Sequence, residues 1–563
     1  MASSHTAHVP FSRALLTTLL AGTLLLGGVR AQHLAGRQSV VFSHGVACGD
    51  ATSDSVVLWT RTDGPATVTP ELLDTADGAL LRTLPSIQAG PETDFTVKVD
   101  AMGLTAGEKI LYGDADWKWR PYPILNSLNQ EPLDFFVFLG DLIYETTNFE
   151  VTTVAESLAD YCAKYRENRE LPPEVAPGST VPLQGLYGSF SQYSVFDNHE
   201  TGPSKLDAKA PPYNDGGAPA GDAVHQFVNQ TSGWKDRIQA YAEYNPVRQR
   251  TVAGAGDPRM DGTDRFYSGQ SWGSAMRLFT VDDRSYRDAR LASSDDAQAD
   301  APGRTMLGTP QLQWLEDGLL AAQRESVTWK FVVISSPIQQ IGRASEIGSD
   351  LDGSKSWAGG YRVERDRLLK FIDDNAIDNV VFLTTDNHYT MINNLRYRST
   401  PEDPQSALVP ARNAFEILTG PIGAGTGLPP VKANVARLTA ERDVDRVETA
   451  ALVGDQPNTD GMLQGQKQAG LDPVGLESNF PGLIASSLVS DGGTPGVVEP
   501  QAFTAYLAYM YAVLTVDNNL LTVQVEGIPA IDLQTLGSPD GMNTYLSETP
   551  RTILSFQVQA LME

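Results

Sequence analysis

An α/β fold preceded by a small all-β domain is what this 563-residue sequence predicts, and three observations carry the prediction. From residue 110 onward, apolar strand-like runs alternate with stretches of helical periodicity, as they do where helices cover a sheet. Upstream, residues 40–110 read as short strands punctuated by Gly and Pro at the spacing of a sandwich. Between the two regions stands Leu133-Asp-Phe-Phe-Val-Phe-Leu-Gly-Asp-Leu-Ile-Tyr-Glu145, in which six of the first seven residues are apolar. Such a run reads as a strand buried on both faces, and it stops abruptly at Gly140-Asp141. An acid there lies at the carboxyl edge of a sheet, where open α/β sheets hold their ligands.

The elements follow in order. Ser55-Val-Val-Leu-Trp-Thr60 is a short strand, and Thr93-Asp-Phe-Thr-Val-Lys-Val-Asp100 alternates with period two. Leu111-Tyr-Gly-Asp114 opens the α/β part. The run 190–196 ends in Asp197-Asn-His-Glu200, and the run 276–281 ends in Asp282-Asp-Arg-Ser-Tyr-Arg287. Leu312, Leu315, Leu319 and Leu320 share a helical face over 311–324. A strand at 329–334 is stopped by Ser335-Ser-Pro337, residues 363–374 are helical, and a strand at 379–384 ends in Thr385-Asp-Asn-His388. The stretches 201–235, 340–360 and 425–500 are rich in Gly, Pro, Ser and Asp and read as loops. Leu514-Thr-Val516 and Leu521-Thr-Val-Gln-Val-Glu-Gly527 form a hairpin near the end.

Composition narrows the function. With 41% hydrophobic and 20% charged residues the chain is a folded globular protein. Lys+Arg 42 against Asp+Glu 69 gives a net charge of -27, which disfavours duplex nucleic acid and anionic membranes as partners. Arg13, the apolar run 14–29 and the small-residue exit Val29-Arg-Ala31 describe a secretory leader over residues 1–31, hence an extracellular or periplasmic protein. No later stretch is apolar and long enough to span a bilayer. Cys48 and Cys162 are the two cysteines; they either pair or remain buried thiols. Asn229-Gln-Thr231 is a glycosylation sequon.

Several strands end in residues able to bind metals: Asp114, Asp141 with Tyr144, Asn198 with His199, and Asp386 with His388. Oxygen and imidazole donors suit Fe3+, Mn2+, Ca2+ or Zn2+. A carboxylate set among others can bridge two metals about 3.5–4 Å apart, an arrangement that clamps both oxygens of an in-line displacement at phosphorus. Past the leader the histidines are His33, His44, His199, His225 and His388, and two of the five follow buried strands beside an Asp or Asn. The bland reading of any one of them is a core-edge histidine making a single hydrogen bond, and a Gly-Asp after a strand is common. The ordered set is the specific signal.

The chain resembles the PhoD-like alkaline phosphatase/phosphodiesterase family. The resemblance rests on Phe42-Ser-His-Gly-Val-Ala-Cys-Gly-Asp50 with Val57-Leu-Trp-Thr-Arg61, Gly140-Asp-Leu-Ile-Tyr-Glu145, Phe196-Asp-Asn-His-Glu200, Asp283-Arg-Ser-Tyr-Arg287, and Trp357-Ala-Gly-Gly-Tyr361 with Glu364-Arg365. It implies an N-terminal β-sandwich over 38–110, a metallophosphatase-type αββα domain over 111–530 and a C-terminal extension over 531–563. It also implies a dinuclear or larger centre, Fe3+ with Ca2+ (or Mn2+/Zn2+), and hydrolysis of small phosphate esters by a metal-bound hydroxide. In that scheme Asp141 bridges the metals, Tyr144 ligates the ferric ion and Asn198 the second metal. Asp386 and His388 complete the cluster, and His199 steadies or protonates the leaving oxygen. Arg284 is a candidate phosphate contact, because guanidinium matches phosphate oxygens bidentately; an ion pair with Asp282 or Asp283 is the structural alternative.

Three departures stand out. Where many members carry a Ser-Cys ligand, this chain has Leu111-Tyr-Gly-Asp-Ala-Asp116, so Asp114 takes the place with Asp116 as rival. Thr385 stands where the family has glycine, which requires a differently shaped turn or a displaced site. Leu104 to Gly113 is a short junction, either genuine or lacking a segment; a lost segment would leave the last strand of the sandwich unpaired. These departures motivate a rival reading, a degenerate homologue that binds metal or a phosphorylated ligand without turnover. A purple-acid-type phosphatase is excluded by the missing Gly-His-x-His motif.

Overall fold

Phe135 and Val137 enter one hydrophobic core, and Phe136 and Phe138 enter another, because successive side chains of a strand point to opposite faces. The computed structural model describes residues 42–561 apart from 74–79, 105–109, 114–121, 123, 146–154, 156, 171–180, 202–228, 230–233, 289–290, 292–296, 339–356, 387–389, 424–475, 477–479, 489–503, 506–507 and 530–548. The leader therefore lies outside the described residues.

The N-terminal region contributes β1 (Val46–Gly49), β2 (Ser55–Arg61), β3 (Ala66–Val68), β4 (Glu71–Leu73), β5 (Leu80–Thr83), β6 (Ile87–Ala89) and β7 (Thr96–Met102). Then come β8 (Ile110–Gly113), β9 (Phe135–Phe138), β10 (Ser191–Ser194), β11 (Ser268–Trp272), β12 (Met276–Thr280), β13 (Trp329–Val333), β14 (Val380–Thr384), β15 (Thr390–Arg398) and β16 (Leu408–Leu418). The last five are β17 (Leu483–Leu488), β18 (Thr504–Ala505), β19 (Ala508–Val516), β20 (Leu520–Pro529) and β21 (Arg551–Gln559).

Two sheets dominate. One has ten strands in the order β17-β21-β20-β19-β8-β9-β10-β1-β2-β7, the other seven in the order β11-β12-β13-β14-β16-β15-β18. Strands β8, β9, β10 and β1 run parallel in the first, and β12, β13, β14 and β16 run parallel in the second. Phe135, Val137 and Tyr193 meet Leu278, Phe331, Val381 and Phe415 in the core between the sheets. On the outer face of the first sheet, Phe136 and Phe138 pack with Tyr161, Tyr165, Tyr187 and Tyr241. These tyrosines come from helices Leu158–Asn168, Pro182–Ser189 and Trp234–Tyr244. On the outer face of the second, Phe279, Val332 and Phe382 pack with Leu315 and Leu319 of helix Thr309–Arg324 and with Leu368 and Ile372 of helix Arg362–Asp374. The result is the helix–sheet–sheet–helix layering that the sequence predicts.

The N-terminal region is all-β, and it is also continuous with the larger sheet. β1 lies beside β10 in parallel, with Cys48 opposite Ser191, and β2 and β7 extend the sheet to its edge. Strands β3–β6 and β4–β5 form two small ribbons over it. As the edge strand, β7 carries charge that is tied down. Lys98 Nζ donates to the carbonyl of Ala242, and Asp100 pairs with Arg248 at 2.8 Å. This anchoring keeps an open edge from serving as a template for another chain.

At the other end of the chain, β21 pairs with both β17 and β20. The stretch beyond 530, read from sequence as an extension, thus supplies an interior strand. Cys48 and Cys162 are free and buried. No helix among the described residues is long and apolar enough to cross a membrane.

Candidate metal centre

The parallel strands of both sheets deliver their carboxyl ends to one place. Asp141 follows β9, Asp197 follows β10 and Asp386 follows β14, and one carboxylate oxygen from each lies within 4.8 Å of the others. Asp141 and Asp197 are fully buried, and Asp386 is half-buried.

The backbone is strained where it presents these groups. Asp141 (φ 53°) and Asp386 (φ 77°) both occupy the left-handed region, as does Gly140 (φ 106°). A non-glycine residue there costs about 1–3 kcal/mol and persists only where its surroundings hold it. A β-carbon at Gly140 would stand 2.5 Å from Asp197 Cβ, so only glycine lets the turns after β9 and β10 touch. The turn after β14 also resolves the substitution at Thr385. Positive φ falls on Asp386, while Thr385 donates its amide to Ser335 O and its hydroxyl to Thr419 O.

A second layer of hydrogen bonds orients the acids. The Asp141 carboxylate accepts the His199 amide at 3.1 Å and lies 3.4 Å from the Tyr144 hydroxyl. His199 Nδ1 meets Glu145 Oε2 at 2.6 Å, and the Tyr144 ring stacks on the imidazole with centroids 3.6 Å apart. Asn198, fully buried, stands between Asp197 and His199 in the one-turn helix Asn198–Thr201. Glu200, the third residue of that turn, accepts backbone amides from Asp141, Leu142 and Asp197. Burial pushes its carboxyl up to about 7, against the pull of those amides.

The turn after β12 closes the far wall. Asp282 accepts the amides of Arg284 and Ser285, and burial pushes its carboxyl up to about 6. Asp283 binds the Ser335 hydroxyl and the Ser336 amide after β13. Arg284, fully buried, pairs through Nη2 with Asp197 Oδ1, while its Nε stands 3.8 Å from Asp283. Arg284 is thus paired with an acid the sequence does not single out.

Of the residues predicted from sequence, Asp141, Tyr144, Asn198, His199, Arg284 and Asp386 come together here. Asp114, its rival Asp116 and His388 lie outside the described residues. Three functional candidates emerge only from the structure: Asp197, Glu145 and Glu200. Asp197 carried a usable signal, since it follows an apolar run as Asp141 does. The site suits a hard cation, because Asp197 Oδ2 is buried with no hydrogen-bond partner among the described residues. Converging carboxylates are costly without positive charge to offset them.

Comparison with known proteins bears on the family and the fold. The family model described as PhoD-like phosphatase matches residues 111–459, and the model for the N-terminal domain of PhoD-like phosphatases matches residues 29–113. The chain is similar to alkaline phosphatase D of Bacillus subtilis (strain 168), 26% identical over 426 residues. That match covers 63% of this chain and 66% of the relative, just under two thirds of its length. The fold is similar to a solved structure of PhoD, with a TM-score of 0.60 at 19% identity over 93% of this chain and 91% of that one.

Proposed function

The chain belongs to the PhoD-like phosphatase family, and from that premise we propose that it is a secreted, metal-dependent phosphatase/phosphodiesterase acting on small phosphate esters. The observation that carries the reading is the meeting of Asp141, Asp197 and Asp386 beside the His199–Glu145 pair. These three acids, with Tyr144 and Asn198 next to them, would hold the centre, and the family resemblance adds His388 and Asp114. Oxygen donors of this kind favour Fe3+ with Ca2+, or Mn2+ and Zn2+. When bound, the cations would neutralise phosphoryl oxygens and activate water for attack at phosphorus.

The protein's own groups account for the remaining steps. With Nδ1 committed to Glu145 at 2.6 Å, proton donation to a leaving oxygen falls to His199 Nε2. Glu145 fixes that tautomer and stabilises the imidazolium form, and the Tyr144 ring holds the imidazole plane. Arg284, fully buried, pairs with Asp197 and so steadies that acid at the same wall; its guanidinium is of a kind that would suit phosphate oxygens. A buried acid-oriented histidine has no use in a protein that only binds its ligand, which favours turnover over the degenerate alternative.

The test is turnover of mono-aryl and bis-aryl phosphates before and after chelation, with the visible spectrum of the purified protein. Chelator-sensitive turnover supports the reading, and a tyrosinate-to-iron band would assign Tyr144. Undiminished turnover after complete metal removal, or no turnover from metal-loaded folded protein, would overturn it.

A further inference from the structure

We propose that Glu200 is a positioning residue that sets the spacing of the metal-binding acids, a role that rests on the metal-dependent reading above. The last residue of the Asp-Asn-His-Glu motif carries no role in the chemistry of its neighbours, yet it is almost completely buried. One of its oxygens bridges the two ligand-bearing turns and the other adds to the grip on the first. Oε2 accepts the amide of Asp141 at 2.9 Å and that of Asp197 at 2.8 Å. Oε1 accepts the amide of Leu142 at 2.6 Å and lies 3.4 Å from that of Ile143. One carboxylate thus holds the backbone of both acids at once, one of them 59 residues and the other three residues upstream of it.

Geometry makes this more than a loop staple. The turn it grips contains Gly140 and Asp141, both at positive φ, a conformation that needs outside constraint to persist. The turns already touch where Gly140 meets Asp197, so a small change in the grip moves one carboxylate against the other. The neighbouring His199 amide fixes the Asp141 side chain at 3.1 Å. Residues 199 and 200 therefore divide the work, one orienting the carboxylate and the other its backbone. No lysine, arginine or histidine pairs with Glu200 among the described residues, so its charge is spent on these amides. Outer-sphere groups that orient ligands typically contribute 10–100-fold to metal affinity.

Substitution separates positioning from plain stability. Glu200→Gln keeps the shape but turns one acceptor into an NH2 group facing backbone N–H, so either the Leu142 amide or the Asp141 and Asp197 amides lose their acceptor. Glu200→Asp keeps both acceptors on a stem shorter by one methylene. The experiment titrates Mn2+ into wild type and both variants after chelator stripping, reading free Mn2+ by electron paramagnetic resonance. Folding is checked by near-ultraviolet circular dichroism, and kcat and KM for an aryl phosphate are measured in parallel. The expected result is roughly 10–100-fold weaker Mn2+ binding in folded Glu200→Gln, a fall in kcat with little change in KM, and partial recovery in Glu200→Asp. Should Glu200→Gln fail to fold, Glu200→Asp is read by the same titration and is expected to bind Mn2+ more weakly than wild type. Wild-type affinity in a folded variant, with only its melting temperature lowered, overturns the proposal and leaves the metal centre standing. Absence of Mn2+ binding by the wild type overturns the metal reading itself.

Discussion

Two buried clusters in this molecule are made of the same residue types and arranged in opposite ways. Beside helix Arg362–Asp374, acids and guanidinium groups alternate. Arg365 pairs with Asp366 at 2.6 Å, Arg398 with Asp366 at 2.5 Å and with Asp300 at 2.7 Å, and Arg362 with Asp300 at 3.2 Å. At the strand ends, three carboxylates instead approach one another to within 4.8 Å, and Arg284 joins through Asp197. In the first arrangement each acid is held between guanidinium groups, and the ion pairs position the chain. The second sets acid against acid, an arrangement that a multivalent cation would offset. Buried charge alone therefore does not mark a site; the sign of the neighbours does. The two clusters are also linked, since Glu416 binds the Ile338 amide beyond β13 and the Thr384 hydroxyl at the end of β14, while Arg365 donates to the carbonyl of Ile338.

The sharpest way to break the comparison is to neutralise one acid in each cluster. Asp386→Asn is expected to lower kcat/KM about 1,000-fold, roughly 4 kcal/mol. In the metal-free protein the same change relieves repulsion, so its melting temperature holds or rises. Asp366→Asn is expected to do the reverse. It leaves Arg365 and Arg398 buried beside a neutral amide and costs about 3–5 kcal/mol of stability, with metal content per folded molecule unchanged. Denaturant unfolding with metal analysis of both variants checks the pair.

Glu145→Gln should have a smaller effect, about 100-fold on kcat. The amide keeps His199 in place but no longer stabilises its charged form, so metal binding persists and the pH–rate profile shifts. The smallest effect concerns pH and Glu364. This fully buried acid accepts the amides of Met306 and Leu307, and burial pushes it up to about 7. A carboxyl whose pKa is raised on folding binds its proton more tightly in the native state. Its stabilisation is therefore complete below the ordinary value near 4.5 and is lost as pH rises through about 7. Glu364→Gln should flatten the fall in stability between pH 5 and 8 by roughly 2–3 kcal/mol, read from melting curves across that range.

How much of this was legible follows from distance along the chain. An apolar run ended by an acid is a local pattern, so Asp141, His199 and Asp386 were readable, as was the α/β layering. Contacts between remote residues leave no such trace. Arg284 finds Asp197 across 87 residues, and His199 finds Glu145 across 54. Asp197 went unassigned because Asn198 and His199 beside it carry more distinctive chemistry. At Thr385 the residue type alone suggests a distorted turn, whereas the structure puts the left-handed position on Asp386. Strand β21 lies past the last motif, and its place between β17 and β20 is a matter of sheet order, which sequence does not encode locally.

The central claim is that the three converging carboxylates form a cation site and the alternating cluster does not. Elemental analysis of the wild type, Asp386→Asn and Asp366→Asn, purified alike and checked for folding, tests it most directly. The account predicts bound metal in the wild type and in Asp366→Asn, and its loss from Asp386→Asn. Equal metal in all three, or a metal-free wild type with full phosphatase activity, would contradict it.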